Sequence, residues 1–162
     1  MIDTRKVKGR RRLRFEKLDD AVHDAEMLAE AERAGTLRTT GNWTLGQAIG
    51  HVAYWANAPF DGYPQTRPLP WLMKVMLPLL KGRFLNKGLP AGARIPDVPA
   101  GTFGVDVMPT DEALAKLRPA LARIESQSPT EFNPLFGPMT HQDWIKLNLR
   151  HAELHWSFFH PR

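Results

Sequence analysis

The 162-residue chain contains no cysteine. That excludes disulfide bonds, cysteine metal sites and a cysteine nucleophile together, and it agrees with a reducing, cytoplasmic setting. If thiol chemistry takes place here, the thiol must arrive on a small molecule. Long hydrophobic runs are also missing. The longest apolar stretch, Trp71 to Leu80, is interrupted by Lys74 and Pro78 and falls short of the roughly 18–20 residues of a membrane span. A membrane role is therefore not expected, and the stretch reads as a core or interface segment. The Arg10–Arg12 run lacks the apolar segment that an export signal needs, because Glu16, Lys17, Asp19 and Asp20 follow it.

Acidic residues are scarce at the N-terminus. Residues 1–17 carry eight Lys and Arg side chains against Asp3 and Glu16, a net +6, so the chain's +5 comes from this stretch and the remainder is slightly acidic, at −1. Residues 1–14 are read as a basic arm packed across its own domain. Nucleic-acid binding through it is the weaker alternative, and it predicts steeply salt-dependent affinity.

What the chain does have is helical periodicity. Leu18, Ala21, Val22, Ala25, Leu28 and Ala29 recur at three- and four-residue steps, predicting a helix over about 18–34 with a stop at Gly35. Thr44 and Gln47 have capping-box spacing and open a second helix, which Pro59, Asp61 and Gly62 close. Within it, Gly46 and Gly50 would let another backbone or a ligand come close. Prolines 64, 68, 70, 78, 90, 96, 99 and 109 predict a broken crossover holding one short helix from Pro70 to about Lys81. Leu89 to Met108 reads as an irregular connection, of a length that often covers a site. A third long helix is expected over about 111–125, capped by Thr110 and kinked at Pro119. A fourth runs from a Thr140–Asp143 cap to about Phe159. The pattern predicts an all-α, single-domain four-helix bundle over residues 1–162, with a long Pro-rich crossover between the second and third long helices.

His151 and His155 lie four apart in the last helix, on the stripe of Trp144, Leu147, Leu154 and Phe158. Neighbouring imidazoles on one helix face can converge on one ion. Glu153 lies about 200° around from His151 and faces elsewhere, so the His-Glu-x-x-His protease arrangement is not expected. His51, near the buried face of the second helix, is the candidate third ligand. Such histidines also occur as surface pairs or locally bonded core residues, and spacing alone leaves these readings open. Asn148, Tyr54 and Trp55 are the neighbours that could support or wall the site, although ordinary core packing is the favoured role for Trp55. Arg150 could contact an anionic part of a substrate. His141, at a helix start, is expected to be exposed, and His23 and His160 receive no role.

The segment Gly41-Asn42-Trp43-Thr44-Leu45-Gly46-Gln47-Ala48-Ile49-Gly50-His51-Val52-Ala53 resembles the second-helix signature of the DUF1569 family. Arg12-Leu13-Arg14-Phe15, Asp61-Gly62-Tyr63, Phe136-Gly137 and Arg150-His151 to His155 resemble its other landmarks, in the same order. The likeness covers about residues 10–160. It implies a place in the DinB/YfiT-like superfamily of metalloenzymes, with a DinB-like bundle. It further implies a divalent metal, zinc or nickel, held by His51, His151 and His155. It also implies homodimers, to which the apolar Trp71–Leu80 segment adds, and a small-molecule substrate such as a low-molecular-weight thiol. Three functions remain open: a thiol-dependent transferase, a metal-dependent hydrolase using bound water, and a non-enzymatic bundle with a structural metal.

Overall fold

The computed structural model describes residues 2–65, 67–68, 70–98, 100–130 and 132–162; Pro99, one of the expected helix breakers, lies outside them. The described chain is mostly helical, with five helices and one small two-stranded sheet. The order is α1 (Leu18–Arg33), β1 (Arg38–Thr39), α2 (Leu45–Asp61), α3 (Trp71–Lys87), α4 (Thr110–Ser126), α5 (His141–Trp156) and β2 (Phe159–His160). No helix is long and apolar enough to cross a membrane among the described residues.

Local chemistry sets the helix starts. Thr44 Oγ1 accepts from Gln47 N at 3.2 Å, and the Gln47 side chain accepts from Thr44 N at 3.0 Å. Thr140 and Asp143 repeat the exchange at 3.1 Å in each direction, opening α5. At α1 the Asp20 carboxylate accepts from the backbone N–H of Glu16 and of Lys17. Gly35, with φ +69°, follows its last turn.

Several boundaries differ from the sequence expectation. Thr110 does not cap α4: it is the first helical residue, after Pro109, and its hydroxyl bonds Glu32 on α1. Pro119 sits inside α4 without ending it, and the residue four earlier, Ala115, is exposed, so its freed carbonyl can turn to water. Pro78 is likewise tolerated in α3, where Lys74 is exposed, and the helix runs on to Lys87 rather than stopping near Lys81. The last helix stops at Trp156. Beyond it, Phe158 O accepts from the backbone and hydroxyl of Thr40, and Phe159–His160 pair antiparallel with Arg38–Thr39. No strand was expected at either place.

One core unites α1, α2, α4 and α5. Leu28, Ile49, Val52, Leu117, Leu121, Ile124 and Trp156 are almost fully buried in it. Burying a side chain of this size contributes about 1.5–3 kcal/mol, before the entropy of ordering it. α2 packs most extensively on α4, and α3 rests on α5. Two glycines explain how closely the chain passes over α2. A Cβ at Gly46 would lie 2.1 Å from Met108 O, and one at Gly50 would lie 2.9 Å from Met108 Sδ. The end of the crossover thus lies directly on the glycine face of α2.

The N-terminal arm lies against the rest of the chain. Arg11 N donates to Ser157 O at 2.8 Å, and its guanidinium pairs with Asp24. Arg10 sits over the Phe158 ring, and the backbone of Ile2 exchanges two hydrogen bonds with the Asn42 amide.

Candidate metal centre

Three histidines from two helices meet at one point. His51 comes from the buried face of α2, His151 and His155 from one face of α5. His151 Nε2 is 3.2 Å from His51 Nε2 and 3.1 Å from His155 Nε2. Their candidate ligand nitrogens all lie within 4.8 Å of one another. His51 is buried, and His151 and His155 are half-buried.

The second nitrogen of His51 determines what the first can do. His51 Nδ1 is 2.8 Å from Phe103 O. A carbonyl oxygen only accepts, so Nδ1 carries the ring proton and Nε2 presents a lone pair to the cluster. Burial then holds the rings neutral: it lowers the His51 pKa from 6.5 to about 4, against a smaller raising effect of the Phe103 bond. His151 and His155 are pushed well below the usual histidine value, first by burial and then by the repulsion of neighbouring imidazolium charge. Three neutral imidazoles therefore face each other. A proton on His151 Nε2 can point fully at only one neighbour, and a proton on His155 leaves His151 facing the His51 lone pair. Hydrogen bonding alone leaves at least one contact poorly satisfied. A cation bound by all three lone pairs removes that conflict, so this donor set fits a divalent ion.

Two neighbours had no role assigned from the sequence. Trp43 lies parallel to His155, with centroids 5.0 Å apart and planes 10° apart, and tilted against His51 at 4.9 Å. It immediately precedes the Thr44 cap, the position from which an apolar side chain commonly packs back onto its helix. Phe103 contributes only its carbonyl, from the irregular crossover. A main-chain atom carries no residue-type signal, although a long connection covering a site was expected there.

The other expected neighbours separate. Trp55 is 6.3 Å from the His51 ring, edge-on. Tyr54 is exposed and packs on Gly104 of the crossover, without a ring contact or hydrogen bond to a histidine among the described residues. Asn148 is buried and donates to Trp144 O on its own helix, not to a histidine. Arg150 is not available beside the cluster: it is 3% exposed, donates to Phe15 O and pairs with Glu153. Glu153 faces the same way, accepting from Phe15 N at 2.6 Å. His141 is half-buried rather than exposed, its Nε2 2.7 Å from Ile124 O. His23 is exposed and His160 lies on β2.

Fold and site together define a helical protein with an all-imidazole cluster set between two of its helices. The sequence profile of "Protein of unknown function (DUF1569)" matches residues 7–162, and the chain belongs to that family. No curated protein and no solved structure matches the chain.

Proposed function

We propose that this DUF1569 protein is a metal-dependent enzyme of the DinB/YfiT-like type, with His51, His151 and His155 holding zinc or nickel for chemistry on a low-molecular-weight thiol. The observation that supports it is the convergence of three Nε2 atoms, each from a ring that burial keeps neutral. On this reading α1, α2, α4 and α5 are the four helices of a DinB-like bundle. α3 and the Pro-rich segments around it are then the crossover.

An ion in this place supplies positive charge that favours loss of a proton from an adjoining thiol or water. The chain's own residues prepare the place for it. Phe103 O fixes the His51 tautomer and ring direction. Trp43 packs on two of the rings and limits their rotation. Three protein donors, with no carboxylate or thiolate in the group among the described residues, would leave room for a small ligand on the ion, which supports this reading over a closed structural site.

The test is a thiol panel against zinc-loaded and nickel-loaded protein. Metal-dependent binding of one thiol, followed by its transfer to an electrophile, is the expected result. Ester or amide turnover with no thiol response favours the hydrolase. An inert ion that no thiol perturbs assigns a structural role. The reading also includes a homodimer: α3 exposes Trp71, Leu72, Val75 and Leu79, an apolar surface suited to a second copy. Mass in solution tests that part.

A further inference from the structure

The opposite side of α5 carries a second polar centre, independent of the histidines. An open depression with room of about 420 Å³ lies between the N-terminal arm and α5, with Arg10, Arg11, Arg12, Arg150 and Glu153 in its wall. Arg150 is the unusual member. Its Nη2 serves both Phe15 O, at 2.7 Å, and Glu153 Oε1, at 3.1 Å. Its Nε and Nη1 are buried and have no hydrogen-bond partner among the described residues. A guanidinium does not shed its charge, so these N–H groups call for an acceptor that the described residues do not supply.

We propose that this depression binds the phosphate group of a small phosphorylated molecule, with Arg150 at its base and Arg12 and Arg10 at its rim. With Arg11 held by Asp24, the guanidiniums of Arg10, Arg12 and Arg150 stand against one carboxylate, itself engaged by Arg150 and Phe15, and leave an excess of positive charge that suits a dianion better than a carboxylate. The volume exceeds that of a bare phosphate and falls in the range of small-molecule sites, about 300–1,000 Å³. Leu13, Leu89 and Leu154 add an apolar wall for the organic part. Two of the arm's arginines are already engaged within the chain, Arg11 by Asp24 and Arg14 by Asn86 O, which leaves fewer of them for a nucleic-acid backbone. The Arg-rich run of the arm thereby acquires a specific function rather than a general electrostatic one.

The experiment titrates the full-length protein with inorganic phosphate, phenyl phosphate and acetate at constant ionic strength. Calorimetry and the ¹⁵N-resolved Arg150 Nε–H signal are the readouts. The Arg150 signal moves with both phosphates, and phenyl phosphate binds more tightly. Arg12→Gln, an exposed position that leaves the core intact, weakens binding by about tenfold, as loss of a charge-assisted contact does. His155→Ala leaves phosphate binding unchanged, which separates this site from the histidine cluster. An unmoved Arg150 signal at millimolar phosphate, or an equal response to acetate, overturns the proposal. So does Arg12-dependent binding of a single-stranded oligonucleotide when phenyl phosphate does not bind.

Discussion

His51 and Phe103, 52 residues apart, are joined by a 2.8 Å bond from the ring Nδ1 to the backbone carbonyl. The bond ties the irregular crossover to α2 and points the other nitrogen at the cluster. Gly104, directly after Phe103, has φ +68°, and a Cβ there would come within 2.6 Å of Tyr54 Cβ and Cγ. Gly104→Ala must therefore push the crossover away from α2 and take Phe103 O with it. Loss of such a supporting contact lowers metal affinity by about 10–100-fold. Competition with a chromogenic chelator measures it. Unchanged affinity in a folded Gly104→Ala protein contradicts the orienting role of Phe103.

Removing metal should make stability fall with acidity. The His51 pKa is 6.5 as a free side chain and about 4 in the fold. Above pH 6.5 the ring is neutral in both states and the fold keeps its full stability. As pH drops from 6.5 to about 4, the unfolded chain takes up a proton that the folded one resists. His51 alone then removes roughly 3 kcal/mol across that window. His151 and His155 shift in the same direction and add to the loss. Urea midpoints of chelator-treated protein at pH 7.5 and pH 5 provide the check. Equal midpoints would show that the rings are not buried neutral.

Glu153 and the metal centre should separate under mutation. Glu153→Ala removes the partner of a buried Arg150 and the acceptor for Phe15 N. Breaking a buried ion pair from one side costs about 3–5 kcal/mol. Glu153→Gln retains an acceptor oxygen for Phe15 N and costs less. Metal content per folded chain is the same in both variants and the wild type, because Glu153 lies off the histidine face. Chemical denaturation paired with metal analysis reads the two effects separately, and a drop in metal content for Glu153→Gln contradicts the assignment.

Much of the site was legible because it lies on regular helices. The four-residue spacing of His151 and His155 among Trp144, Leu147 and Leu154 points both rings inward once a helix forms, and Thr140 with Asp143 secures that helix. Gly46 and Gly50 signalled close approach, and Met108 is what approaches. Less was visible where the partner is distant in sequence or is main chain. The Phe103 carbonyl has no residue signature. Thr110 suited a cap, yet its hydroxyl is taken by Glu32 across the α1–α4 seam. Asn148, three residues before His151, looked placed to support it, but its side chain donates to Trp144 O one turn back on the same helix. The β1–β2 pair is two residues long on each side, too short for an alternating pattern to register.

The central claim is that three imidazoles share one ion. Metal content per chain, measured by elemental analysis on gently purified wild type and His155→Ala, tests it most directly. The account predicts close to one zinc or nickel per wild-type chain and little in His155→Ala, with both proteins folded by circular dichroism. A folded wild type that takes up no divalent metal, or a His155→Ala protein that binds it equally well, would contradict the account.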